Sequence, residues 1–247
     1  MTETKVVGRR MRRQDAWAKA TGAFIYGMDV QIPGQLYGAI LRSPHPHARI
    51  RSIDVSGARA LEGVEAVLTA GDLPDGLLMP GVVWDQPLLA ADRVRYHGEP
   101  VAAVAASTPD LARQALERIV VDYQPLPAIV DPEAAMAAEA PLVHEAWGSY
   151  KAEEGLVRER NICCHASLRK GDVERAFASA DRILEGTYTT QSVHQSHVEP
   201  RVATAVVLPG EIPTVHTNTQ LPYWIRTNVA HALGVAEEAV RIVPTGI

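Results

Sequence analysis

The segment that joins a strand to a helix near the end of the chain has the residue types of a ligand site. Residues 217–220 (TNTQ) follow a β-like run and precede Pro222, which can begin a helix. In α/β proteins ligands bind where strands end and helices begin, and the amide of Gln220 can donate to an anionic oxygen. Residue chemistry alone favours a second interpretation, in which Gln220 caps the helix.

Histidine and acidic residues lie together shortly before this segment. His194 and His197 are three residues apart, and Glu199 follows them. On a helix the two imidazoles would share one face, but the local composition predicts a loop between strands. Histidines in such loops are more often held by hydrogen bonds than by a metal ion, so we expect no metal site here.

The other reactive side chains have structural interpretations. His45 and His47 alternate with prolines, which predicts a fixed loop. Cys163 and Cys164 are too few for an iron-sulfur cluster or a disulfide framework, and we expect them on opposite faces of a strand. The alternative is a zinc protein that uses these cysteines and the histidines, and zinc analysis of the isolated chain tests it.

Apolar runs predict the elements that carry these residues in the first half of the chain. Strands at residues 36–43 and 49–55 are expected to be neighbours, joined by the loop SPHPH. Thr108 is expected to begin a helix. The remaining predicted elements are strands at residues 64–68, 101–105 and 119–123 and helices at residues 56–61 and 109–117.

The second half predicts a further domain after a segment rich in proline, alanine and acidic residues. Its helix at residues 222–233 is expected to end at Gly234. The other elements are strands at residues 161–168, 183–190, 202–208, 214–217 and 240–243 and short helices at residues 132–138 and 171–180. The predicted fold class is α+β, or mixed α/β, with an arm (1–20), an α/β domain (21–125), a linker (126–160) and an α+β domain (161–247).

Charge and hydropathy restrict the class of partner. The chain has 247 residues, of which 24 are basic and 29 are acidic, and 47% are hydrophobic. This balance predicts a folded core and no interaction with nucleic acid or a membrane surface, and we expect a cytoplasmic protein that binds small molecules or proteins. The arginines at residues 9–13 resemble a twin-arginine signal, but no apolar core follows, so a solvated arm is expected.

An ordered set of strings covers almost the whole chain and resembles one family. The strings are LYGAILRSPHPHARI (36–50), HGEPVAAVAA (97–106), VDYQPLPAIVDPEAAM (121–136) and GDVERAFASAD (171–181), followed by Glu199-Pro200 and TNTQ (217–220). Together they resemble the large, molybdenum-cofactor-binding subunit of the molybdenum hydroxylases, the xanthine dehydrogenase, aldehyde oxidase and carbon monoxide dehydrogenase family. The resemblance implies a hammerhead α/β domain followed by an incomplete molybdopterin-binding α+β domain.

The resemblance also implies an activity and a site. In this family the glutamine matching Gln220 donates to an oxo ligand of molybdenum, and Thr219 and Glu199 are weaker candidates for contact with the molybdenum-molybdopterin cofactor. The implied reaction is oxidative hydroxylation, or a related hydration, of an aldehyde, an N-heterocycle or a similar substrate, with water as the oxygen source. Electrons would pass to iron-sulfur clusters and FAD in partner subunits. Trp84 and Trp224 are the candidates for stacking on a planar substrate.

The sequence departs from the family pattern at its end. Family large subunits continue into a glycine-rich loop and several hundred further residues, whereas this sequence stops at Ile247. We therefore expect a naturally split or truncated subunit that shares its cofactor with a second half, and no catalytic base is assignable here. The alternative is a non-catalytic assembly or interaction module of the same fold that binds no cofactor.

Overall fold

Strands and helices alternate irregularly through residues 6–246, which are the residues that this computed structural model describes; residues 1–5 of the predicted arm and residue 247 lie outside them. The helices are α1 (Ala16–Thr21), α2 (Ser56–Arg59), α3 (Pro109–Glu117), α4 (Pro132–Met136), α5 (Val173–Ala178) and α6 (Pro222–Leu233). The strands are β1 (Tyr37–Arg42), β2 (Ala48–Asp54), β3 (Val64–Thr69), β4 (Leu78–Met79), β5 (Gln86–Pro87), β6 (Arg93–Val94), β7 (Pro100–Ala106), β8 (Val120–Pro125), β9 (Val157–Glu159), β10 (Ile162–His165), β11 (Ala203–Val206), β12 (Thr214–Thr217) and β13 (Arg241–Pro244). The predicted mixed fold class is confirmed.

The chain forms two units by its internal contacts. The central unit comprises residues 36–198, and the terminal unit combines residues 6–35 with residues 199–246. The central unit contains an antiparallel sheet of order β1-β7-β3 and a second sheet of order β6-β2-β8. Two small pairs, β4-β5 and β9-β10, complete its strands.

Strand β7 lies in the middle of its sheet because small apolar residues fill it. Val101, Ala102, Val104 and Ala106 are buried, so both of its faces contribute to the core. The helix α3 packs against β1 and β7. It begins where predicted, since the Thr108 hydroxyl accepts a hydrogen bond from the backbone N–H of Leu111 at 3.1 Å.

The predicted pairing of the first two strands is wrong. β1 pairs with β7, whereas β2 pairs with β6 and β8, so the two strands belong to different sheets. Prolines at positions 44 and 46 remove backbone donors that a hairpin would need. Instead the backbone N–H of Ser43 donates to the carbonyl of Glu99 at 2.9 Å, and the N–H of Gly98 donates to the carbonyl of Ser43 at 2.9 Å.

The predicted linker segment contains ordered structure. It includes α4 and β9, and Ala152 forms an isolated bridge with Val83. Arg158 donates from its guanidinium to the carbonyls of Trp147 and Tyr150, both at 3.1 Å. Side-chain donors therefore satisfy backbone carbonyls that no regular strand or helix takes up.

The terminal unit is a three-stranded sheet of order β11-β12-β13 with helices α1 and α6. β12 and β13 are parallel, and α6 is the crossover that such a pair requires. The sequence predicted α6 to the residue, because Pro222 begins it and Gly234 ends it with a φ of 66°. The strand predicted at residues 214–217 is confirmed with both of its ends, and those predicted at residues 202–208 and 240–243 are confirmed with shifted ends.

The strand predicted at residues 183–190 is wrong. Residues 182–198 form no helix or strand, and Leu184, Tyr188 and Val198 are each more than nine-tenths exposed. A strand needs a neighbour for its backbone N–H and C=O groups, and within the described chain none lies beside this segment. A suitable composition is therefore insufficient to form this strand.

Candidate functional site

One edge of the terminal sheet collects the ends of all three strands. The pairing aligns Ala203 with Thr217 and Thr217 with Pro244. The carboxyl ends of the parallel strands β12 and β13 and the start of β11 therefore share this edge. Carboxyl ends of parallel strands are the usual binding edge of α/β sheets. All three residues singled out from the sequence, Glu199, Thr219 and Gln220, lie on the loops that leave it.

Asn218 joins two of these loops. Its Oδ1 accepts a hydrogen bond from the backbone N–H of Val202 at 3.3 Å, and its Nδ2 donates to the carbonyl of Pro200 at 3.0 Å. The hydroxyl of Thr217 donates to the carbonyl of Val202 at 2.8 Å. These bonds fix the loop that bears Glu199 to the loop that bears Gln220, and sequence reasoning did not identify Asn218.

Gln220 does not cap the helix. The N-cap position of α6 is Leu221, which makes no side-chain capping bond, and Pro222 follows it. The local turn is closed by Thr219, whose hydroxyl accepts from the backbone N–H of Leu221 at 3.0 Å. Gln220 is exposed directly before the positive end of a twelve-residue helix. Its amide can therefore donate to a bound anionic oxygen.

Whereas Gln220 contributes a hydrogen-bond donor, Glu199 contributes an acceptor. The residue is partly buried, and its Oε1 is shielded from solvent with no hydrogen-bond partner among the described residues. A buried carboxylate oxygen in this state is costly unless a donor satisfies it. An N–H or O–H group of a bound molecule would do so.

Two side chains of α6 contact the short segment that leads into β13. The Arg226 guanidinium lies 3.2 Å from Glu237, and the hydroxyl of Thr227 donates to the other oxygen of Glu237 at 2.9 Å. Glu237 belongs to the short 3-10 helix Glu237–Ala239 that precedes β13. The helix that follows the candidate site is thus attached to the segment that precedes β13.

The four histidines discussed as possible ligands make local contacts. His194 Nδ1 accepts from the backbone N–H of Ser196 at 2.9 Å, and the rings of His194 and His197 are 5.5 Å apart. His47 Nδ1 lies 2.7 Å from the carbonyl of Pro127, and His45 packs edge-on to Tyr123. Both hydrogen-bonded histidines are thus engaged by backbone groups.

Potential metal ligands are dispersed. Cys163 and Cys164 are both exposed free thiols. Across residues 6–246, no group of three or more histidine, cysteine or acidic side chains is arranged to hold a metal ion. The same range contains no helix with the length and apolar character needed to cross a membrane.

The two candidate tryptophans have different surroundings. Trp84 lies under the ammonium group of Lys151, 4.0 Å from the ring centroid. Trp224, in the first turn of α6, is 45% exposed. Only Trp224 lies in the unit that carries the candidate site.

The central unit contains a polar cluster that the sequence did not indicate. His144 Nδ1 lies 3.2 Å from the Tyr150 hydroxyl, and its Nε2 lies 3.9 Å from Asp85. Burial lowers the pKa of His144, and the nearby Arg95 lowers it further, while Asp85 opposes the shift. Burial also raises the pKa of the Glu99 carboxyl beside the same arginine. The sequence gives no periodic signal around His144.

Two family models match the chain. Residues 21–127 match the model described as aldehyde oxidase and xanthine dehydrogenase, a/b hammerhead domain, and residues 157–247 match the molybdopterin cofactor-binding domain. Matches to two domains in this order cover most of the chain.

Known proteins and solved structures agree with these matches. The nicotinate dehydrogenase large molybdopterin subunit of Eubacterium barkeri is 34% identical over 97% of this chain, which spans 53% of that protein. The carbon monoxide dehydrogenase large chain of Afipia carboxidovorans is 36% identical over 98% of this chain, which spans 30% of it. The structure of quinoline 2-oxidoreductase from Pseudomonas putida 86 superposes with a TM-score of 0.81 at 32% identity, covering 99% of this chain and 31% of that one. A Cu,Mo-CO dehydrogenase structure gives a TM-score of 0.82 at 36% identity over 97% of this chain and 31% of its own.

The chain therefore spans about a third to a half of the length of these relatives. Its two matched regions follow the order of the hammerhead and cofactor-binding domains. The chain belongs to the aldehyde oxidase and xanthine dehydrogenase family of molybdenum hydroxylases and carries the hammerhead domain and molybdopterin cofactor-binding sequence of its large subunit.

Proposed function

We propose that this chain supplies one wall of the molybdenum-cofactor site in a multi-subunit molybdenum hydroxylase. One observation supports the proposal. An exposed amide donor, Gln220, and a shielded acceptor without a partner, Glu199, both lie on loops at one sheet edge. Both residues lie within the region that matches the molybdopterin cofactor-binding domain. Their chemistry fits a group that presents both anionic oxygens and N–H donors.

Each residue has a defined task in this proposal. Gln220 would donate its amide N–H to an anionic oxygen of the bound cofactor, at the positive end of α6. Glu199 would accept a hydrogen bond from the organic part of the cofactor. Asn218 holds the two loops in register. The hydroxyl of Thr219, which accepts from the backbone N–H of Leu221, closes the turn that presents Gln220.

The bound cofactor supplies the acceptor for two electrons and the acid-strengthening of water that oxidative hydroxylation requires. The residues of this chain bind and orient it. We place the general base in another chain or in the part of the large subunit beyond the region shared with this chain, which spans only 30% to 53% of its relatives. Iron-sulfur and FAD partner subunits would accept the electrons, and the substrate would be an aldehyde, an N-heterocycle or a similar small molecule.

The proposal is tested by purifying the chain together with the products of its neighbouring genes and measuring molybdenum, iron and flavin. We expect molybdenum in the intact complex, together with iron and flavin from the partners. An intact complex without molybdenum would overturn the proposal and favour the non-catalytic assembly module. Zinc is measured in the same samples, and stoichiometric zinc in the isolated chain would favour the zinc hypothesis.

A further inference from the structure

The amino-terminal residues of the terminal unit contact the same sheet edge that carries the candidate site. The 3-10 helix Gly27–Asp29 lies against Val202 and Thr245, and Phe24 lies against Gly246. Val202 precedes β11, and Thr245 and Gly246 follow β13. One short segment near the start of the chain therefore contacts loops at both sides of the sheet.

Position 27 requires glycine because neighbouring atoms lie too close for a side chain, and not because of its backbone conformation. A Cβ built on Gly27 would lie 2.5 Å from Cγ1 of Val202 and 3.2 Å from the hydroxyl of Thr245. Its φ lies outside the left-handed region in which glycine is favoured. Any larger residue would therefore press on Val202 without straining its own backbone.

Phe24 makes the equivalent contact at the other loop. A Cβ on Gly246 would overlap the edge of the Phe24 ring. The ring is held from its own side, because Tyr26 packs edge-on to it at a centroid distance of 5.0 Å and the Lys19 ammonium lies 4.9 Å from its centroid. Lys19 is fixed by Asp15 at 2.9 Å, so α1 supports the ring.

The contacted loops are those that place the candidate residues. Val202 donates its backbone N–H to Asn218, two residues before Gln220, and Val202 lies three residues after Glu199. Thr245 donates its backbone N–H to the carbonyl of Thr217 at 2.9 Å. A displacement of either loop would therefore also displace Thr217 and Asn218, which precede Gln220.

We infer that the residues between Phe24 and Asp29, called here the clamp segment, position the cofactor-facing loops, with Gly27 as the central positioning residue. The role towards the cofactor depends on the proposed function, whereas the contacts themselves do not. The clamp segment begins within the stretch matched by the hammerhead model, yet its contacts belong to the terminal unit. It is therefore part of the site's support.

The test uses Gly27→Ala in the full complex, with Gly148→Ala as the control. A Cβ on Gly148 would meet nothing within 4 Å, and its φ is likewise outside the left-handed region. The rescue variant combines Gly27→Ala with Val202→Ala, which removes the Cγ1 atom that the new methyl group meets. Hydrogen exchange is followed at the amides of Val202 and Thr245, and molybdenum content, kcat and KM are measured.

For Gly27→Ala we expect exchange at Val202 and Thr245 faster by roughly tenfold or more, because overpacking weakens a closely packed site. Turnover per bound molybdenum falls and KM is unchanged, whereas Gly148→Ala matches the wild type. The rescue variant recovers most of the exchange protection, because the two substitutions share one contact.

Three results overturn the inference. They are unchanged exchange in Gly27→Ala, no recovery in the rescue variant, or altered exchange with both molybdenum content and turnover per molybdenum unaltered. The last result would show that the clamp segment stabilises the fold without positioning the cofactor-facing loops. If wild type and variants all lack molybdenum but differ in exchange as expected, the clamp contacts stand while the proposed function and the positioning role fail. A loss of molybdenum confined to Gly27→Ala supports positioning.

Discussion

Gln220 and Glu199 offer complementary hydrogen-bonding capacity at one sheet edge. The amide is exposed and can donate, while the carboxylate oxygen is shielded and can only accept when ionised. A preorganised donor aimed at a charge-bearing oxygen contributes more to a reaction than the same donor in water, because it needs no reorganisation. The two residues therefore have separable effects on turnover and on cofactor retention.

Replacing Gln220 by alanine is expected to leave the complex and its molybdenum content intact and to lower kcat by on the order of 100-fold, the effect of losing one such donor. Gln220→Glu keeps the shape but removes the N–H donor, so it is expected to behave like Gln220→Ala. Gln114→Ala, at an exposed glutamine on α3 in the central unit, serves as the control. Unchanged turnover in both Gln220 variants would show that the amide has no role in the reaction.

At the scale of elements, prediction succeeded where the signal is local. The ends of α6 could be predicted because Pro222 and Gly234 act within one turn of the helix. The pairing of β1 with β7 could not, because it depends on residues about sixty positions apart and on the loop of prolines between β1 and β2. The position of Gln220 before α6 made it a candidate, with residue chemistry favouring a cap and the family resemblance a cofactor contact. The contact of Gly27 with Val202 leaves no trace in either local sequence.

In the irregular segment between α4 and β9, one titratable residue, His144, contributes to stability. His144 is neutral when folded at neutral pH because burial lowers its pKa below the ordinary value of 6.5. As the pH falls below that value, the opened form of the segment takes up a proton more readily than the closed form. The stability that the neutral ring contributes is therefore lost as the pH falls towards the pKa of the folded state.

We therefore expect faster local opening of this segment at about pH 5.5 than at about pH 7.5, after correction for the intrinsic exchange rate. Hydrogen exchange reports it at Trp84 and Glu153, whose backbone N–H groups donate to Lys151 and Val82. His144→Gln should remove most of the pH dependence. Equal pH dependence in the wild type and in His144→Gln would show that other groups control the opening.

At the scale of the whole molecule, residues 182–198 lie within the longest stretch without helix or strand in the described chain, residues 179–202. Leu184, Tyr188 and Val198 expose nearly all of their surface to solvent. Exposed apolar side chains on an irregular segment are sites of proteolysis and of contact with partners. The proposed multi-subunit complex would cover this segment.

Chymotrypsin is expected to cleave the isolated chain first after Tyr188, because that backbone is exposed and outside any strand. Tyr123 lies within the paired strand β8 and is the internal control. Cleavage after Tyr188 should slow by at least tenfold in the complex if partners cover the segment. The reason is that a protease cleaves a covered segment only when it transiently opens. Equal rates in both samples would contradict that arrangement.

The terminal unit is built from both sides of the central unit in sequence, and this has a consequence for synthesis. Phe24 and Tyr26 are synthesised 178 and 176 residues before Val202. At about 5 to 20 residues per second this is a delay of about 9 to 35 seconds. During that interval the central unit can fold, while the clamp segment has no surface to pack against. Nascent-chain chaperones should therefore bind around Phe24 early and release it only when β11 to β13 emerge.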